Sequence, residues 1–67
     1  MNKEKIRELM YQSHGKRINL YLKNGEVKND IFINCYHQDE GEDEPAMLEI
    51  GKSMVTIDEI EKIEILN

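Results

Sequence analysis

Cysteine occurs once in the sequence, at Cys35. No intramolecular disulfide can form, so the fold is not stapled in the manner of small secreted domains. That usage fits a reducing, cytoplasmic compartment. No stretch approaches the ~18 consecutive apolar residues of a membrane span. Lys3, Glu4 and Lys5 interrupt the start of the chain, so no apolar run of signal-peptide length is expected there. Bases are also scarce: nine Lys and Arg stand against fourteen Asp and Glu, for a net charge of −5. This balance argues against a broad surface for nucleic acid or anionic lipid, while leaving room for a local basic patch.

What is present fits one small domain spanning all 67 residues. A chain of this size buries only about 60% of the surface it exposes when unfolded. One compact core is within reach, with little space for an enclosed substrate pocket.

The spacing of apolar residues predicts a helix over about 3–13. Ile6, Leu9 and Met10 fall at i, i+3 and i+4 and form a narrow stripe, which Tyr11 can widen. Asn2 suits the N-cap and Gly15 the C-terminal stop. A helix this short is marginal alone, so its stripe must pack on a sheet. A first strand is expected over about 17–23, where Ile18, Leu20 and Leu22 alternate with polar neighbours. Asn24-Gly25 then reads as a type I′ hairpin turn. A long second strand is expected over about 26–37. Val27, Ile31, Ile33 and Cys35 share one phase, and Phe32 and Tyr36 the other, which suggests strong bending. Residues 38–45 contain no apolar side chain and read as a solvated loop. Strands near 46–50, 53–57 and 60–66 follow, with a turn at Gly51-Lys52 and a corner at Asp58-Glu59.

The expected fold is therefore mainly β with one N-terminal helix. Its form would be a five-stranded, strongly bent antiparallel barrel capped by that helix. The segment Ile18-Asn19-Leu20-Tyr21-Leu22-Lys23-Asn24-Gly25 resembles the first strand of the Sm-like family, in particular its bacterial Hfq branch. Met54-Val55-Thr56-Ile57-Asp58-Glu59-Ile60 is similar to the fourth-to-fifth strand stretch of the same family. The resemblance implies an Sm-like barrel, one of the SH3-like forms. It also implies rings made by pairing those two strands between subunits. Met54, Val55, Ile63 and Ile65 are then the candidate oligomer-edge residues, and a homo-oligomer is expected.

The functional residues of that family do not carry over. Hfq proteins use a Lys-His pair to clasp uridine-rich RNA; Ile57 and Asp58 stand nearest that place here. Neither can neutralise a phosphate. Where the family usually has a glycine in its second strand, this chain has Asp30. Its short loop after that strand is replaced by residues 39–44. The acidic Sm-like Rho-inhibitor proteins, which bind a protein rather than RNA, are similar in outline.

Five acids, Asp39, Glu40, Glu42, Asp43 and Glu44, lie in that loop, leaving nine acids against nine bases elsewhere. The whole net charge can be assigned to it. It is the candidate contact for a basic protein, because concentrated charge steers association more than dispersed charge does. The plainer reading is a solvated loop that maintains solubility. The alternative function is atypical RNA binding through the basic residues His14, Lys16 and Arg17 at the helix end. Those cations equally complement the helix dipole.

No cofactor or metal site is indicated. The acidic run lacks the spacing of a calcium loop, and Cys35 with His37 falls short of the four ligands of structural zinc. The same two residues lack an orienting partner for nucleophilic catalysis. The reading is a non-catalytic regulatory module that binds a protein.

Overall fold

The computed structural model describes residues 1–66. Helix α1 covers Lys3–Gln12. It is followed by β1 (Arg17–Leu22), β2 (Val27–Phe32), β3 (Cys35–His37), β4 (Met47–Ile50), β5 (Ser53–Thr56), a 3₁₀ turn (Ile57–Glu59) and β6 (Ile60–Leu66). The strands form two antiparallel three-stranded sheets, in the orders β2-β1-β6 and β3-β4-β5. Neither sheet closes. The expected five-stranded barrel is thus replaced by six strands in two open sheets that share one core.

The helix begins where Asn2 Oδ1 accepts the Lys5 N–H at 2.8 Å. Such a cap is typically worth about 1 kcal/mol. At the other end the Ser13 N–H donates to Leu9 O and Met10 O, and its hydroxyl donates to Met10 O. Ser13 is fully buried, and those bonds satisfy it. Gly15 follows at φ 74°, a left-handed conformation that reverses the chain into β1. The buried stripe is Ile6 and Met10, packed against β6 and the 3₁₀ turn.

The first hairpin differs from a type I′ turn. Leu22 O accepts the Gly25 N–H and the Leu22 N–H donates to Glu26 O. Among the turn residues only Gly25 has positive φ. This is a three-residue loop, a type I turn closed by a glycine bulge. Asn24 contributes its side chain instead, with Oδ1 accepting the Glu26 N–H at 2.8 Å.

The expected long strand over 26–37 divides in two at Ile33 and Asn34. The Ile33 N–H donates to Lys16 O, and its carbonyl accepts the Gly15 N–H. The backbone of Ile33 is thus bound to the helix–β1 connection, while the Asn34 N–H turns to Glu49 O. Upstream residues pair with β1 and downstream residues with β4. A bulge at Asn29-Asp30 also shifts the phase. Ile31 and Ile33 point inward and Phe32, on the other phase, points outward; Val27, expected on the phase of Ile31, also points outward, and both it and Phe32 are about half exposed.

The core is drawn from every layer: Ile6 and Met10 from the helix, Ile18 and Leu20 from β1, Leu48 and Val55 from β4 and β5, Ile57, Ile60 and Ile63 from the last segments, and Ile33 between the sheets. With so few side chains, each is expected to matter. Met10→Ala should lower the unfolding free energy by about 2–4 kcal/mol, measured by urea denaturation. Met54→Ala, at a half-exposed position, should change it by less than about 0.5 kcal/mol.

Candidate functional site

The acidic segment is a small hairpin. The Glu40 N–H donates to Glu44 O, and the Glu44 N–H donates to Gly41 O. Gly41 and Glu44 form an isolated bridge, which presents Glu40, Glu42, Asp43 and Glu44 outward. The fifth acid behaves differently. Asp39 receives the Arg7 guanidinium, with Nε at 3.0 Å from Oδ1 and Nη2 at 3.4 Å from Oδ2. Arg7 also donates from Nη1 to Glu4 Oε1 at 2.7 Å. The base of the hairpin is therefore tied to the helix at Arg7, level with the buried Ile6 and Met10 stripe.

That pairing shifts the carboxyl. The Arg7 hydrogen bonds hold Asp39 below its usual range, and nearby backbone N–H groups act in the same direction against partial burial. Beside it, Tyr36 packs edge-on against Tyr11, with ring centroids 6.0 Å apart. Burial raises the Tyr36 phenol, and the Asp39 charge adds to that. Glu40, Glu42, Asp43 and Glu44 have no ion-pair partner among the described residues.

The basic candidates are not assembled into one patch. Arg17 reaches across to Asp30, with Nε 2.6 Å from Oδ1 and Nη2 3.0 Å from the carbonyl oxygen. His14 and Lys16 remain exposed at the helix end. Six of the nine bases already hold ion pairs, which leaves little free positive charge for a phosphate backbone.

The edge candidates separate by burial. Val55 and Ile63 belong to the core and Ile65 packs against it, so only Met54 is exposed. Both β5 and β6 nevertheless lie at sheet edges. The β4–β5 turn has positive φ at Gly51 alone, as in a type II′ turn. Alternation from the Ile50–Ser53 pair then aims the Val55 N–H at β4 and the Met54 N–H away from it. The Ile57 N–H bond to Ala46 O fits that parity. Thr56 shares the outward parity, and its N–H is taken by Glu59 Oε2.

One set of contacts was absent from the sequence reading. On the outer face of the first sheet, the Tyr21 hydroxyl donates to Glu64 and Lys62 Nζ lies 5.3 Å from the Tyr21 ring centroid. The hydrogen bond lowers the Glu64 carboxyl and raises the Tyr21 phenol. Alternation marked these as solvent-facing, but the pairing depends on the β1–β6 register, which links residues 43 apart. Arg7 and Asp39 are likewise distant in the chain, 32 residues apart, and are brought together only by the fold.

Among the described residues no pocket opens, no group of three or more His, Cys, Asp or Glu gathers as a metal site, and no helix is long and apolar enough to cross a membrane. Cys35 is a half-buried free thiol. No family model, curated protein or solved structure matches the chain.

The Arg7–Asp39 tether has a pH signature. Asp39 has a depressed pKa when folded, so its stabilisation is present above the unfolded carboxyl value near 4 and fades as pH falls through the lower folded value. In an NMR titration, Arg7→Ala should raise the Asp39 midpoint toward the ordinary range. It should also speed amide exchange over residues 40–44. An unchanged midpoint would show that Arg7 does not hold the carboxylate.

Proposed function

We propose that this chain is a non-catalytic binding module whose acidic hairpin docks onto a basic protein surface. The observation that carries this reading is the contrast within the hairpin. Asp39 is tied down by Arg7, while Glu40, Glu42, Asp43 and Glu44 project from that anchored base without ion partners. Four unpaired carboxylates on a short, tethered turn make a concentrated field at little ordering cost. Such a field speeds encounter with a cationic partner and suppresses encounter with anions. RNA is the disfavoured partner, because most cations here are already engaged. A cytoplasmic setting suits the single free thiol.

The test is affinity capture from the native host at moderate salt, with and without nuclease. A protein should co-purify, survive nuclease and weaken as salt screens the contact. It should fall at least tenfold with the combined variant Glu40→Gln, Glu42→Gln, Asp43→Asn and Glu44→Gln. Recovery of nuclease-sensitive RNA instead would move the site to His14 and Lys16.

A second reading concerns assembly. The edge strands β5 and β6 carry outward backbone groups that a second copy can pair with, and we propose homo-oligomerisation through them. Met54→Pro is the discriminating variant, since it deletes an outward N–H and leaves the β4 ladder intact. Light scattering should show a reduced assembled mass with unchanged circular dichroism. A mass equal to the parent's would exclude β5 as the contact. Val55→Pro is unsuitable, because the Val55 N–H serves the β4–β5 ladder and its side chain lies in the core.

A further inference from the structure

We propose that the bulge at Asn29-Asp30 is a device that closes the free edge of β2 to a second copy of this chain. Strand β2 is outermost in its sheet and pairs only with β1. The Leu22–Glu26 hydrogen bond sets the parity of that ladder, so the N–H groups of Val27 and Asn29 point away from β1. Val27 and Phe32 are 46% and 47% exposed along the same strand. Open donors flanked by apolar side chains form a pairing template, and an edge strand always fits its own antiparallel copy about a two-fold axis.

The bulge interrupts that template. Ile18 faces Ile31 and Leu20 faces Lys28, so Asn19 alone faces the two residues Asn29 and Asp30. Asp30 is the one non-glycine with positive φ among the described residues, at 52°. Three bonds hold it there. Asn19 Oδ1 accepts the Asp30 N–H at 2.9 Å, Arg17 Nε donates to the Asp30 carboxylate, and Arg17 Nη2 donates to the Asp30 carbonyl. The last bond occupies an acceptor of β2 itself. A bulge also bends the strand and increases its twist, which moves the edge out of line with a flat partner. The Glu26–Lys28 pair, 2.8 Å apart, adds charge beside it.

The register supplies the test. Deleting Asp30 leaves Asn19 opposite Asn29 and restores a regular ladder from Ile18 to Tyr21. By sedimentation velocity over a wide concentration range, the deletion variant is expected to form a species at least double the parent's mass. Adding Val27→Pro, which removes an outward N–H, should return it to the parent's mass. Asp30→Gly, which keeps the left-handed conformation, should match the parent throughout. A folded deletion variant with the parent's mass overturns the proposal, as does a heavier species that Val27→Pro leaves intact. If circular dichroism shows that the deletion variant is unfolded, the double variant Arg17→Ala/Asn19→Ala decides. Concentration-dependent association supports the device, and a folded species of parental mass refutes it.

Discussion

Two backbone hydrogen bonds at Ile33, to Lys16 O and from the Gly15 N–H, divide the chain between its two sheets. With both backbone groups bonded to the helix–strand connection, Ile33 has none left to pair with β4. Its side chain is fully buried at that point, so it holds the division in place from the core as well. The consequences run outward. Residues before Ile33 pair with β1, those after it pair with β4, and the interior between them is filled by side chains from both sheets and from α1. The helix depends on the same junction, since the turn that ends it at Ser13 and Gly15 is what meets Ile33.

The surface follows a second constraint, the local balance of charge. On the outer face of the first sheet, Arg17 pairs with Asp30, and Lys62 lies near Glu64 and the Tyr21 ring. On the helix, Glu4 and Asp39 share Arg7. Exposed pairs of this kind contribute little to stability one by one. Their effect is to remove long-range field from those regions. The hairpin tip lacks such compensation, so the molecule's net negative charge is felt there most directly. The same side chains thus fix local geometry and leave one region electrostatically distinct.

Much of the architecture was legible because it is local. Asn2 as a cap, the Ile6–Met10 stripe, the alternation of Ile18 and Leu20, the Gly51 turn and the last strand at 60–66 depend on neighbours a few residues away. The first hairpin was legible in place but not in type: Asn-Gly favours a two-residue turn, and here Asn24 uses its side chain to support a longer loop. The second strand was misread because period-2 alternation assumes an uninterrupted ladder. The bulge at Asp30 exchanges faces for Val27, and the break at Ile33 sends Cys35 and Tyr36 to another sheet. Closure into a barrel rested on that strand being continuous, so it fell with it. For the site, the five acids were legible as a group. That Asp39 differs from the other four was not, because its partner lies 32 residues away.

Composition, charge and short-range pattern by themselves determined a small, mainly β fold with a leading helix, a single thiol and its excess charge on one loop. These properties are sums or near-neighbour preferences, and they need no knowledge of what meets what. The tertiary structure alone decided that the sheets are two and open, that Arg17 reaches the bulge at Asp30, that the side chains of Val55 and Ile63 fill the core, and that the acidic hairpin is anchored. Each of those outcomes rests on contacts between residues far apart in the chain, and such contacts are fixed only when the whole core closes.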